Sequence, residues 1–239
     1  MTRRWVIITK AALWAACLAP LALLVLQAIG DLYPGTAFQR FGSLGVNPVE
    51  RLLDVCGTTG LNLLMLTLCI SPLRRSLGIN RLVSFRRLLG LFAFFYIVLH
   101  FLTYSLLDLG LLFQPQFAWD TLLIDIVERP YITVGFTAWL LLIPLAITST
   151  RAWIRRLGKR WQTLHRLIYV SAILGVLHFL WLVKADVRQP LIYAAVLGVL
   201  FLLRLPVFRR LRVRVSTERP PRQPQRKGSK KPAKDLIGG

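Results

Sequence analysis

Long runs of apolar residues, separated by short polar and charged segments, dominate the sequence. Six runs can be delimited, at residues 11–29, 57–73, 88–107, 131–147, 166–183 and 190–208. An α-helix needs about 20 residues, with a range of roughly 17–25, to cross the hydrocarbon core of a bilayer. The regular apolar–polar alternation of a membrane β-barrel strand is absent from these runs. The pattern predicts an all-α membrane protein, built as a six-helix transmembrane bundle.

The transmembrane domain is expected to occupy residues 11–208 as one unit without an internal repeat. Residues 1–10 form a short N-terminal segment, and residues 209–239 a tail rich in Pro, Lys and Arg, a composition typical of disordered segments. The start of the chain resembles a signal peptide with a cleavage site near Cys17. Only six apolar residues separate Lys10 from Cys17, however, and the apolar run continues beyond it. We therefore expect a retained first helix.

The distribution of basic residues predicts the orientation, because cytoplasmic loops carry an excess of Lys and Arg. Of the 31 Lys and Arg, 26 lie in residues 1–10, 74–87 and 151–166 and in the tail from Arg204. Most of the Asp and Glu lie in the alternate segments. Both termini are therefore predicted to be cytoplasmic. The longer segments on the opposite side, 30–56 and 108–130, are candidate docking surfaces for a partner.

The net charge of +21 does not indicate a nucleic-acid-binding protein. Such proteins concentrate Lys and Arg on one face, whereas here the basic residues flank every predicted cytoplasmic helix end. Anionic lipid headgroups are the expected counter-charge.

The chain has only three histidines, and all lie within or at the edge of apolar runs. At 1.5 Å per helical residue, His100 lies about 20 Å from the cytoplasmic start of the third run, near Arg87. His178 lies about 18 Å from the start of the fifth run, near Arg166. Both runs point outward, so the two imidazoles reach one level in the outer half of the membrane. Ionisable residues at such depth are functional-site candidates.

Two imidazoles facing each other at one depth suit the axial positions of a haem iron. The small residues Gly90, Ala93, Ala172 and Gly175 would leave room for the macrocycle in an apolar slot. The alternative is that each histidine hydrogen-bonds to a neighbouring helix without a metal. Zinc is not indicated, because no carboxylate lies at this depth to complete its ligand set.

His165 lies at the inner edge of the fifth run, and two roles stay open for it: ligand of a second haem, or interfacial histidine. Fourteen residues before His100 stands Arg86, which is a poor iron ligand but a good clamp for a haem propionate. On an ideal helix His165 and His178 lie about 140° apart, so facing one neighbouring helix would require helix distortion. The residues thus leave one haem or two as candidates, beside the alternative without a metal.

Four segments resemble the MsrQ family, formerly called YedZ, and the similarity extends from about Gly57 to Leu203. They read RRLLGLFAFFYIVLHFLTYSLLDLG (86–110), ERPYITVGFTAWLLLIPLAITST (128–150), LGKRWQTLHRLIYVSAILGVLHFLWLVK (157–184) and QPLIYA (189–194). This family belongs to the ferric-reductase-like transmembrane group, as does the membrane half of NADPH oxidases. The resemblance implies that His100, His165 and His178 are haem-ligand candidates. Oxidase relatives have two histidines on each of two spans, and here Arg86 stands where one would be.

The resemblance further implies an electron-transfer subunit, without catalytic residues of its own, in the bacterial inner membrane. It would pass electrons from the quinone pool, or from a cytosolic flavin reductase, to MsrP, a periplasmic molybdopterin enzyme that reduces methionine sulfoxide in oxidised proteins. FMN is implied as a cofactor by the resemblance alone. Two other functions stay open. One is a stand-alone ferric reductase or oxidase-like haem protein fed by a cytosolic flavin reductase, and the other a small transporter using histidines as proton relays.

Overall fold

The computed structural model describes residues 3–79, 82–113 and 119–204, and every regular element within these ranges is a helix. The chain divides into two units, Met1–Leu203 and Arg204–Gly239. The first unit contains all the helices reported below. The predicted tail, 209–239, lies outside the described residues, as does the end of the predicted run 190–208.

The first helix, α1 (Arg3–Leu32), contains Pro20 in its interior, where proline lacks a backbone donor and clashes with the preceding turn. The hydroxyl of Tyr96 accepts a hydrogen bond from the N–H of Leu21 at 3.2 Å and donates one to the carbonyl of Cys17 at 2.7 Å. In a regular helix these two backbone groups would bond each other. The fully buried Tyr96 side chain is therefore inserted into the hydrogen-bond ladder of α1.

The next two helices, α2 (Pro48–Leu77) and α3 (Val83–Leu102), form a hairpin and make extensive contact with each other. Gly60 on α2 allows this close approach, since a Cβ atom there would lie only 2.8 Å from Cγ1 of Ile97 on α3. Beyond α3 the chain continues as a π-helix, Thr103–Asp108. Such wide turns frequently occur at functional sites.

A second pair of helices, α5 (Pro130–Ile147) and α8 (Leu167–Leu182), packs together in the same manner. The buried hydroxyl of Ser171 on α8 donates to the carbonyl of Ala138 on α5 at 2.9 Å. Hydrogen bonds of this kind, together with small residues, hold helices together in a membrane. A short amphipathic helix, α4 (Trp119–Glu128), precedes α5.

The connection between α5 and α8 consists of two short helices, α6 (Arg151–Leu157) and α7 (Lys159–Leu164). The helix is interrupted at His165 and Arg166 before α8 begins. His165 and His178 therefore do not lie on one uninterrupted helix, and the 140° separation expected for an ideal helix does not apply to them.

Within the ranges that the structure describes, five segments are long and apolar enough to cross a membrane: Ile7–Leu32, Pro48–Leu77, Val83–Asp108, Pro130–Ile147 and Lys159–Leu182. A further apolar helix, α9 (Arg188–Leu202), has 15 residues and is shorter than these. The hydroxyl of Tyr193 on α9 donates to Oδ1 of Asn62 on α2 at 2.7 Å. The all-α membrane architecture predicted from the apolar runs is confirmed.

Candidate functional site

The imidazole of His100, on α3, is hydrogen-bonded to the backbone of α2. Its Nδ1 atom lies 2.9 Å from the carbonyl oxygen of Leu53. Because a carbonyl can only accept, Nδ1 carries the proton and Nε2 keeps its lone pair. Gly57, one turn further along α2, faces the imidazole closely, and a Cβ atom there would lie 3.0 Å from Nδ1.

The imidazole of His178, on α8, is held in the same way by the backbone of α5. Its Nδ1 atom lies 2.7 Å from the carbonyl oxygen of Tyr131, which fixes the same tautomer as in His100. Gly135 again stands one turn beyond that carbonyl. A Cβ atom at this position would lie 2.6 Å from Nδ1, so no larger residue fits while the ring keeps its place. We call each combination of a backbone carbonyl and a nearby glycine, Leu53 with Gly57 and Tyr131 with Gly135, a histidine seat.

The two imidazoles face each other across the helix pairs, as their matched depths predict. Their ring centroids lie 6.2 Å apart and their planes are inclined by 83°. Both side chains are only half-buried. Within the described part of the chain, neither Nε2 atom has a hydrogen-bond partner, because each ring bonds through Nδ1 alone. Both histidines thus bond to a neighbouring helix, and this leaves the second nitrogen free to ligate.

The distance between the rings fits a shared metal atom. Imidazole nitrogens bind metals at about 2 Å, so an atom held between two Nε2 atoms would separate the ring centroids by roughly 6 Å. Nearly perpendicular ring planes are compatible with this, since each ring can turn about its own metal–nitrogen bond. Ligating histidines typically donate the other ring N–H to a carbonyl or carboxylate, as both do here. Two imidazoles bonded through Nδ1, each with a free Nε2 atom, are a donor set that would suit a haem iron.

Aromatic contacts join both histidine-bearing helices to α5. Phe101, which follows His100 in the sequence, stacks on Trp139 of α5 with ring centroids 4.4 Å apart. The buried Nε1 atom of Trp139 has no acceptor among the described residues. The ring of Tyr131, also on α5, lies 6.2 Å from that of His178.

A polar network joins the end of α3 to the start of α5 beside His178. The hydroxyl of Tyr104, in the π-helix, donates to the carboxylate of Asp125 on α4. Asp125 also accepts from Nε of Arg129 at 2.9 Å, and NH1 of Arg129 lies 3.5 Å from the Tyr131 hydroxyl. Since the backbone of Tyr131 holds His178, this network helps to fix the position of that seat.

His165 is placed apart from the other two histidines. Its Nε2 atom lies 3.1 Å from Oγ1 of Thr148, and its ring stacks on Trp161 with centroids 3.9 Å apart. Arg86 is half-buried and close enough to act electrostatically on His165, whereas Arg87 is exposed. The structure therefore groups His165 with Arg86, and in this arrangement Nε2 is engaged with a hydroxyl.

The glycines that face the imidazoles are different from Gly90 and Gly175, which the sequence indicated as room for a macrocycle. A Cβ atom at Gly90 would make ordinary contact with Thr67, and one at Gly175 with Leu61, each at 3.6 Å. The two alanines suggested to make room for a macrocycle, Ala93 and Ala172, are fully buried. The missed residues are Gly57 and Gly135. Their signal in the sequence is the equal spacing to His100 and His178.

Comparison with known proteins places the chain in a family. The model of the ferric reductase like transmembrane component matches residues 56–176, a range that includes His100, Gly57 and Gly135 and ends two residues before His178. The haem-binding subunit MsrQ of protein-methionine-sulfoxide reductase from Xanthomonas campestris pv. campestris (strain 8004) is 47% identical over 224 residues, covering 92% of this chain and 97% of the relative. The chain belongs to the MsrQ family.

The similarity to MsrQ proteins extends beyond Xanthomonas. The MsrQ protein of Rhodospirillum rubrum is 45% identical over 205 residues, which cover 85% of this chain and 90% of that protein. No solved structure matches the chain significantly. The predicted family resemblance is therefore confirmed over nearly the whole length, together with its ferric-reductase-like transmembrane type.

Proposed function

We propose that this chain is a b-type cytochrome of the MsrQ kind, with haem iron held between His100 and His178. The observation that carries the proposal is the 6.2 Å separation of the two rings, each fixed through Nδ1 on a backbone carbonyl. The relatives are named as haem-binding subunits, which supports the same cofactor. A haem in this position supplies a one-electron carrier that alternates between ferric and ferrous iron.

The chain contributes position and environment to this chemistry. The carbonyls of Leu53 and Tyr131 hold the imidazoles in the ligating tautomer and raise their basicity as ligands. Phe101 and Trp139 add apolar surface to the interface of α3 and α5, and a haem held in such surroundings would have its reduction potential tuned by their low dielectric. No substrate chemistry is assigned to the chain itself.

We propose that the electrons leave toward the periplasm to MsrP, a molybdopterin enzyme that reduces methionine sulfoxide in oxidised proteins. Each sulfoxide takes two electrons and two protons, and yields a thioether and water. The quinone pool is the proposed donor, with a cytosolic flavin reductase as the other source. Support comes from the relatives' name and from the predicted location of the site in the outer half of the membrane. Segments 30–56 and 108–130 are the proposed docking surfaces.

The proposed setting is the bacterial inner membrane, with six spans including α9 and both termini cytoplasmic. The charge distribution supports it, since 26 of the 31 Lys and Arg lie in the segments assigned to the cytoplasm. Anionic lipids are the proposed partners of these segments.

At the inner level we propose Arg86 as the contact for a haem propionate. A second haem there would have His165 as its only histidine ligand, and ligation through Nε2 would replace the bond to Thr148. FMN is supported by the family resemblance alone, and no residue is assigned to it.

The match to the ferric-reductase-like model favours one alternative, a stand-alone haem protein that reduces iron or oxygen with electrons from a flavin reductase. It shares the haem site and differs in the acceptor. Mixing the reduced protein with MsrP under anaerobic conditions separates the two functions. Rapid reoxidation of the haem by MsrP with methionine sulfoxide supports our proposal, whereas reoxidation by ferric chelates alone supports the alternative.

Replacing either ligand tests the site directly. We expect that His178→Ala and His100→Ala remove the reduced-haem absorbance of the outer site, because one imidazole alone cannot complete its axial coordination. The measurement is haem content per purified chain with the dithionite-reduced spectrum. His165→Ala is the matched control and keeps the outer-site spectrum. Unchanged haem in His178→Ala would refute the ligand assignment.

A further inference from the structure

The two helix pairs that carry the histidines, α2 with α3 and α5 with α8, have matching residues at equal spacing in the sequence. His100 and His178 stand at the centre of the same pentapeptide, VLHFL, at residues 98–102 and 176–180. Gly57 and Gly135 are separated by the same interval as the two histidines. We expected no internal repeat along the chain, and these matching positions form a short motif that occurs twice.

The hydrogen bonds of the two pairs repeat as well. Each histidine donates through Nδ1 to the carbonyl of the residue 47 positions earlier, Leu53 in one pair and Tyr131 in the other. In both pairs a glycine follows that carbonyl by one helical turn and faces the imidazole. A carbonyl on the neighbouring helix and a glycine beside it thus form one seat, present twice.

Glycine has a specific physical role in each seat. The imidazole can bond the carbonyl of the neighbouring helix only if its edge lies close to that helix, where a Cβ atom would stand. At Gly57 the added atom would lie 3.0 Å from Nδ1, and at Gly135 it would lie 2.6 Å from Nδ1 and 2.9 Å from Cε1. By contrast, the nearest contacts of a Cβ atom at Gly90 and Gly175, on the histidine-bearing helices, would be 3.6 Å.

We propose that Gly57 and Gly135 are the positioning residues of two equivalent half-sites, each of which presents one imidazole nitrogen to the same haem iron. This inference rests on the proposed haem function. It adds that the two axial ligands are set by a duplicated backbone seat, and that the glycines determine where the ligating nitrogens stand. The glycines touch the histidines and act through them.

The test replaces each seat glycine by alanine in the full-length protein purified in detergent. We expect Gly135→Ala to weaken haem binding by about tenfold or more, the usual range for losing an outer-shell partner of a metal ligand. Gly57→Ala should have the smaller effect, because its Cβ atom is less crowded. Haem that remains should shift from six-coordinate low-spin toward five-coordinate high-spin absorbance. Its midpoint potential should become more positive, since the imidazole loses its Nδ1 hydrogen bond.

Gly198→Ala is the matched control, because it adds the same methyl group to a helix of the bundle, α9, at a position where a Cβ atom would meet no atom within 4 Å. It should keep the wild-type haem content, spin state and potential. Should Gly135→Ala fail to accumulate as a monodisperse helical protein, the milder Gly57→Ala decides the test through its spin state and potential. Wild-type spectra in both seat variants, or equal haem loss in the control, would overturn the inference.

The outcome is distinguishable from a failure of the proposed function. If the wild-type protein binds haem and His178→Ala loses it while Gly135→Ala and Gly57→Ala behave as wild type, the function stands and the seats do not. If the wild-type protein contains no haem, the proposed function itself fails.

Discussion

At the scale of single residues, the hydroxyl group of Tyr96 bonds the backbone of a membrane helix next to a proline. Pro20 lies inside α1, and the Tyr96 hydroxyl from α3 bonds two backbone groups next to it, the N–H of Leu21 and the carbonyl of Cys17. In hydrocarbon no water is present to take this role, so the side chain must supply both a donor and an acceptor. A phenol can do both, and the phenyl ring of phenylalanine can do neither.

We therefore expect Tyr96→Phe to reduce the free energy of unfolding by about 1–3 kcal/mol, the cost of leaving buried polar groups unpaired. The measurement is reversible unfolding in mixed detergent with increasing SDS. Adding Pro20→Ala should recover part of the loss, because a regular helix would let Leu21 and Cys17 bond each other. Equal unfolding midpoints for wild type and Tyr96→Phe would contradict the bridging role.

At the scale of helices, the departures from regular α-helix lie next to the histidines. The helix beyond His100 widens into a π-helix that brings Tyr104 to Asp125, and the helix before α8 breaks at His165. These features could not be predicted from the apolar runs, because a π-turn and a break leave hydropathy unchanged. The run boundaries were closest to the structure for α5 and α8, where charged residues end the helices.

At the same scale, whether α9 crosses the membrane gives a prediction. Its 15 residues span about 22 Å, less than the roughly 30 Å of hydrocarbon. The sequence continues with the mostly apolar residues 203–208, and Arg204 can reach the headgroups with its long side chain. We expect α9 to cross, so alkaline phosphatase fused after Gly239 should be inactive and green fluorescent protein there should fluoresce.

The control for this topology is phosphatase fused after Asp186, between α8 and α9, which should be active in the periplasm. An active phosphatase at the C-terminus would mean that α9 does not cross and that the chain has five spans.

At the scale of the whole molecule, the sequence was sufficient for the helical class, the family and the pairing of His100 with His178. That pairing follows from helix rise alone, since both apolar runs begin next to charged residues that the sequence predicts on one side of the membrane. The seats of these histidines could not be predicted, because their acceptors are backbone carbonyls, which have no residue signature. The repeat was missed because few positions besides VLHFL and the glycines are identical in the two pairs.

The central claim is that one iron atom is ligated by imidazoles from both copies of the repeated helix pair. The most direct measurement is low-temperature electron paramagnetic resonance of the purified ferric protein, with haem quantified per chain. We predict a low-spin signal of a haem with two histidine ligands, in an amount of at least one haem per chain. A preparation that is colourless, or that gives only a high-spin signal, while still supporting methionine sulfoxide reduction would contradict the claim.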